Sequence, residues 1–464
     1  MTGMGHFLAA PPLLLLVFSA CSSPFRWDDA AFPSASDFPF LAAWNAPTNL
    51  CKSRYGVDLD LSMFDIVVND NQTFAGDNVT IFYESHLGLY PYYTSQGVAI
   101  NGGVPQNASL QKHLWAAEKD LSYYIPDALF QGLAVIDWES WRPLWDRNWD
   151  SKHVYWQGSE ALVRAQHPDW NPQKVLKEAR ARFEQAGRAF MEETLRLALA
   201  KRPGGMWGFY GFPDCYNNPG KTSVNYTGAC PELEVRRNDQ LRWLWNASSA
   251  LYPQIYLDLS LRGRQQDVLL YTRHRVQEAM RVREQVTATP PAVLPYARIV
   301  YTFTLEFLSE EELINTIGES AALGAAGVVL WGDANYAMSK VHRPRGILPG
   351  EASCEAVKDY VDKTLGPYVV NVTTAAQVCS RNMCSSHGRC QRKDASSGAH
   401  LHLDPAAWTI SPRAERPGAT PSDPLFVAQE KPGPFKDSAA DLLSYKCQCF
   451  AGWSGTDCSV RLKA

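Results

Sequence analysis

The chain has 464 residues, room for one large domain and a smaller one. Its net charge of −4 excludes the strongly basic surface by which nucleic-acid binders hold phosphate. Aromatic residues make up 12%, with 15 Trp and 20 Tyr, which suits either a large core or a groove that stacks on sugar rings.

An apolar run from Phe7 to Ala20 opens the chain, followed by the small residues Cys21, Ser22 and Ser23. It reads as a secretory leader over residues 1–23, too short for a membrane-crossing helix. Strand-like runs follow at Phe40–Trp44, Asp65–Val68, Val79–Tyr83, Leu133–Glu139, Met206–Phe212, Gln254–Leu257, Val293–Tyr301 and Ala325–Trp331. Helical patterns lie between many of them. Leu110, Leu114, Leu121 and Tyr124 keep helical spacing. Asn171 followed by Pro172 predicts a capped helix running to Lys201, with Val175, Ala179, Phe183, Ala186 and Phe190 as its apolar stripe. Ser309 with Glu312 forms a capping-box pattern ahead of Ile314 and Ile317. Alternating strands and helices indicate the α/β class and a mostly parallel sheet. Seven or eight such units predict a TIM-like (β/α) barrel over residues 24–375, with its active site at the carboxyl ends of the strands.

The run Leu133–Glu139 ends in two carboxylates, Asp137 and Glu139, separated by Trp138. On a strand, side chains two apart share a face, with Cα atoms about 6–7 Å apart. Like charges that close disfavour joint ionisation, so one pKa rises and supplies a general acid. The plainer alternative is a strand end whose acids are solvated or paired with Arg142. Other residues gather at strand ends by the same logic: Tyr83, Tyr210, Asp214, Tyr256 and Trp331.

Without Cys21, ten cysteines remain, an even number suited to disulfides in an oxidising compartment. Six Asn-X-Ser/Thr sequons, at Asn71, Asn78, Asn107, Asn225, Asn246 and Asn371, agree with passage through the secretory pathway. Cys215 and Cys230 bracket a short loop and read as a pair, leaving Cys51 and Cys354 for each other. Residues 376–464 differ in character. The motifs CSSHGRC and CQCFAGWSGTDC fit the cysteine spacing of an epidermal-growth-factor-like (EGF-like) module. That resemblance implies the pairs Cys379–Cys390, Cys384–Cys447 and Cys449–Cys458. A Pro- and Ser-rich insert over residues 391–446 reads as a long, partly disordered loop. No metal site is expected, and no membrane span or lipid-anchor tail follows Cys458.

Seven stretches then point one way: NVTIFYESHLGLYPYY, GGVPQNASL, GLAVIDWESWRPLW, WGFYGFPDCYN, ALYPQIYL, ESAALGAAGVVLWGD and LGPYVVNVT. Together they resemble the animal hyaluronidase family, from Phe40 to Cys458. The segment with GESAALGAAGVVLWGDANY is most similar to the cell-surface branch, although that branch's anchor tail is missing. The resemblance implies a monomeric, cofactor-free hydrolase, secreted or lysosomal, that cuts β-1,4 bonds between N-acetylglucosamine and glucuronate in hyaluronan. Chondroitin would be a poorer substrate. It also implies retention of configuration with the substrate's acetamido oxygen as the nucleophile. Glu139 would be the proton donor, and Asp137 would orient the acetamido group and raise the pKa of Glu139. Tyr210 would help place that group. Asp214, Tyr256 and Trp331 would line the sugar pocket, and Tyr83, Arg142 and Arg275 would contact the polymer. The competing readings are a hydrolase that prefers chondroitin and a catalytically weak hyaluronan-binding protein.

Overall fold

A computed structural model describes residues 37–67, 69, 74–219, 225–338, 349–412, 426–431 and 442–462. The leader, Val68, Asn71, residues 339–348 and parts of the insert lie outside the described residues.

Among the described residues, nine short strands form the centre, all paired in parallel. Leu41–Asn45 lies between Gly327–Trp331 and Ile66–Val67, with Tyr296–Ala297 at the far edge. Leu133–Asp137 lies between Val79–Tyr83 and Met206–Phe209. Ala250–Leu251 pairs with Ala292–Val293. Single bridges, Tyr210 to Tyr252 and Gln254 to Tyr296, link these three groups.

The strands therefore do not close into the expected continuous barrel ladder. Two causes are visible in the sequence. Pro253 immediately precedes the expected strand Gln254–Leu257 and Pro295 falls inside Val293–Tyr301, and proline donates no ladder hydrogen bond. Between Ile66–Val67 and Val79–Tyr83 a side chain replaces the backbone ladder. Asn69 Nδ2 donates to the Val79 carbonyl at 2.5 Å, and Oδ1 accepts from Asn78 N–H at 2.7 Å.

Two apolar layers flank the strands. Leu41, Ala43, Val79, Ile81, Leu133, Val135, Met206 and Val329 form one cluster. The alternate residues Ala42, Trp44, Phe82, Ala134, Ile136, Trp207, Val328 and Leu330 pack in the other with the helices. Strand parity thus fixes the first face. Continued to the strand ends, that face carries Tyr83, Asp137, Tyr210 and Trp331.

The long helix Pro172–Lys201 begins where predicted, with Asn171 Oδ1 accepting from Lys174 N–H at 2.9 Å. Ser309 and Glu312 complete a capping box at the start of Glu310–Leu313. That helix continues through a π-helical segment, Ile314–Gly318, into Glu319–Ala322.

Five disulfides join Cys51 to Cys354, Cys215 to Cys230, Cys379 to Cys390, Cys384 to Cys447 and Cys449 to Cys458. The helix Gly366–Met383 runs across the expected domain boundary at residue 375. The described parts of the insert hold more regular structure than its composition suggests. Trp408–Pro412 pairs antiparallel with Phe426–Glu430. Leu401, Leu403 and Phe426 are buried. Among the described residues, no helix is long and apolar enough to cross a membrane.

Candidate active site

The strand register places Tyr83 directly beside Asp137. The Leu133–Asp137 strand ends there, so Glu139 lies in the following loop rather than on the strand face. Trp138 between them is 4% exposed and stacks on Tyr90 at 4.6 Å, with Phe209 at 5.5 Å. This buried ring anchors the backbone from which the two acids diverge. The Glu139 side chain is 56% exposed, whereas Asp137 is largely covered.

Burial, with Glu139 close by, pushes the Asp137 carboxyl up to about 7. Its Oδ1 is buried and has no hydrogen-bond partner among the described residues. Buried polar atoms are ordinarily paired, and those left over in a cleft mark where a ligand completes the set.

Aromatic side chains wall this position. Tyr210 and Tyr256 are hydrogen-bonded, with ring centroids 6.2 Å apart. Tyr256 stacks on Trp331 at 6.1 Å, and the Trp331 side chain hydrogen-bonds Tyr83. Burial, with Asp137 nearby, pushes the Tyr83 hydroxyl up to about 12, so it stays a neutral donor. Burial also raises Tyr210, with Glu139 as the next cause. Arg298 lies 5.0 Å over the Trp331 ring and pairs with Asp333 at 3.0 Å.

Arg142 pairs with Glu139 at 3.5 Å. The Asp214 carboxylate lies to one side, 3.1 Å from Arg147 and 3.8 Å from Arg275. Arg275 is buried and commits its donors to the protein, at Asn217 Oδ1 (2.8 Å), the Gln254 carbonyl (2.9 Å) and Asn218 Oδ1 (3.3 Å). Its guanidinium is spent on the protein's own amides and backbone. Tyr83, Asp137, Glu139, Tyr210, Tyr256 and Trp331 thus form one cluster, with Arg142 at its edge and Asp214 and Arg275 behind a flank.

Sequence reasoning missed three charged residues here. Lys152 Nζ donates to the Glu139 carbonyl, and to that of Ser140 at 3.2 Å. Burial, with Arg142 nearby, lowers its pKa to about 8. Glu84 accepts from the Ser140 hydroxyl. Arg147 holds both Asp214 and Glu234. Glu84 could have been found, since it follows the strand-end Tyr83. Nothing in the sequence marks Lys152 or Arg147, which arrive on the short 3-10 turns Asp150–Lys152 and Trp145–Arg147. Among the described residues, no group of His, Cys, Asp or Glu is placed to hold a metal ion.

A buried acid and an exposed acid beneath a wall of Tyr and Trp make the arrangement of a glycoside hydrolase. Comparison with known proteins narrows that class. The family model described as hyaluronidase matches residues 29–462. Hyaluronidase-1 of Sus scrofa is 47% identical over 426 residues, covering 92% of this chain and 93% of its own. Hyaluronidase-4 of Homo sapiens is 44% identical over 448 residues, covering 96% of this chain and 88% of its own. Among solved structures, bee venom hyaluronidase in complex with a hyaluronic acid tetramer aligns with a TM-score of 0.62 and 34% identity. That alignment covers 71% of this chain and 98% of the venom chain. The chain belongs to the hyaluronidase family.

Proposed function

We propose that the protein hydrolyses β-1,4 bonds between N-acetylglucosamine and glucuronate in hyaluronan, with retention and without an enzyme nucleophile. The observation that carries this reading is the unpartnered, buried Oδ1 of Asp137 beside the exposed Glu139. A buried acceptor fits the N–H of an acetamido group. Holding that N–H turns the acetamido oxygen toward the anomeric carbon, and Asp137 offsets the positive charge of the resulting oxazolinium-like ring. Glu139, open to the groove, protonates the leaving oxygen and then takes a proton from the incoming water. Tyr210 donates to the acetamido oxygen and fixes its angle. Tyr256 and Trp331 give the sugar a stacking wall, and Tyr83 bounds it on the Asp137 side. Arg142 and Lys152 bring positive charge beside Glu139, where a polyanionic chain needs it.

Three further readings accompany this one. The parallel strands represent an open form of a (β/α) barrel over residues 24–375. The three C-terminal disulfides and the pairing of Gly388–Arg392 with Tyr445–Cys449 fit an EGF-like module. Five disulfides favour folding in the secretory pathway.

The decisive experiment is Glu139→Gln assayed on size-defined hyaluronan and chondroitin. General acid catalysis contributes about 10²–10⁴-fold, so kcat on hyaluronan falls by that factor while binding persists. An unchanged kcat removes Glu139 from this role. Faster cleavage of chondroitin by the parent enzyme reassigns the substrate.

A further inference from the structure

A second concave surface lies on the outside of the fold, between the helices Pro172–Lys201 and Arg242–Ala247. It is a groove of about 690 Å³. Sites for small ligands run from about 300 to 1,000 Å³. Its lining includes Arg188, Glu192, Arg196, Arg242, Trp243 and Asn246.

Two features set its chemistry. The first is charge largely matched within the groove. Arg188 Nε lies 2.8 Å from Glu192, Arg196 also pairs with Glu192, and Arg196 pairs with Glu193 at 2.5 Å. Arg242 donates instead to the neutral Gln285 Oε1 at 3.4 Å, so the groove keeps a small positive surplus beside a dense set of hydrogen-bond donors and acceptors that meet the hydroxyls of a sugar. The second is a half-buried indole. Trp243 has the Arg188 guanidinium 5.4 Å over its ring. An indole beside hydroxyl-binding groups is the surface on which the apolar face of a pyranose packs.

The occupant is indicated by Asn246 itself. It heads the sequon Asn246-Ala247-Ser248, it is exposed, and it lines the groove. Trp243 precedes it by three residues on the same helix, so the two side chains share a face. We propose that Asn246 carries an N-linked glycan whose inner sugars lie in this groove against Trp243, tying the two helices together.

The folded sequon sets the order of events. Ser248 is buried and donates to the Leu244 carbonyl at 2.8 Å. Transfer of the glycan therefore precedes closure of this helix, and the groove forms around sugars already attached. Sugars held in a groove are shielded from the enzymes that trim and rebuild glycans. A docked glycan stays oligomannose, and a free one is remodelled.

The test uses the full-length chain secreted from mammalian cells, with site-resolved mass spectrometry of its glycopeptides. The exposed sequons at Asn107 and Asn225 serve as internal controls. The expected result is an occupied, oligomannose-rich Asn246 in the parent. In Trp243→Ala, the complex-type fraction at Asn246 rises about fivefold, the shift produced by losing about 1 kcal/mol of contact. The profiles at Asn107 and Asn225 stay as they were. Arg188→Ala, which keeps the indole, shifts Asn246 in the same direction and decides the matter if Trp243→Ala is not secreted. An unoccupied Asn246, or an identical profile in the parent and the secreted variants, overturns the proposal.

Discussion

Asp137 ends a buried strand with an oxygen that has no hydrogen-bond partner among the described residues, and the proposed chemistry turns on that atom. Burial, with Glu139 close by, holds Asp137 near 7, so a negative charge appears at this strand end as pH rises through about 7. The kcat/KM profile of the parent should therefore bend near pH 7, and Asp137→Asn should remove that bend. A bend that stays in place would assign it to another group. Stability responds to the same proton. An acid whose folded pKa is raised favours the fold at low pH and loses that support as pH climbs from its ordinary value toward about 7. Allowing for residual exposure, the parent loses about 1–2 kcal/mol between pH 5 and pH 8 that Asp137→Asn retains. Thermal unfolding at the two pH values measures it. Tyr83, Asp137, Tyr210 and Trp331 were legible because strand parity and strand ends locate them without any long-range information. Lys152 and Arg147 were not. Arg147 reaches Asp214 across 67 residues of sequence, a distance over which no local pattern speaks.

Among the elements, the helical stretch from Glu310 to Ala322 performs a task its sequence hides. Glu319 is fully buried and binds Arg273 Nε at 2.7 Å and Arg392 Nη1 at 3.0 Å, with His400 at 3.2 Å. Arg273 comes from the helix Gln265–Glu284, whereas Arg392 and His400 come from the C-terminal region. Arg273 also donates to the carbonyls of Ser396 and Ser397. Burial alone would raise Glu319, but hydrogen bonds from His400, Arg392 and Arg273 hold it at about 2. A depressed acid contributes stability above its ordinary pKa and loses it as pH falls through about 2, so this joint survives mild acid. Glu319→Gln leaves two buried guanidinium groups poorly matched and should cost about 3–5 kcal/mol. Denaturant unfolding at pH 4.5 and pH 7 should show that loss at both. Loss at neither would make the cluster energetically idle. The hairpin in the insert was illegible for a related reason. Its Pro- and Ser-rich composition resembles that of a disordered chain, and three apolar residues, Leu401, Leu403 and Phe426, supply its buried anchors. The capping residues Asn171 and Ser309, by contrast, marked their helix starts from sequence alone, because a cap is a local bond.

At the scale of the molecule, the α/β class and the parallel strands were readable from alternation, but closure was not. Whether neighbouring strands share a continuous ladder depends on a few residues, and here Pro253, Pro295 and Asn69 decide it. The covalent link from Cys51 to Cys354 spans a sequence separation of 303 residues. Loop-closure entropy for a link that long is worth about 5 kcal/mol. Replacing both cysteines by alanine should lower the denaturant midpoint accordingly, with activity at 25 °C retained in the molecules that remain folded. An unchanged midpoint would show that the strand pairing alone holds the two ends.

That same closure sets a clock on biosynthesis. Leu41–Asn45 occupies the middle of its sheet, yet its neighbour Gly327–Trp331 is made near the end of the chain. At about 5–20 residues per second, the Cys51 region waits about 15–60 s for its partner to emerge. During that interval a strand as apolar as Leu41–Trp44 has only the two-residue strand Ile66–Val67 beside it, and its other edge stays open to wrong partners. Chains truncated before Trp331 should never leave the compartment in which they are made.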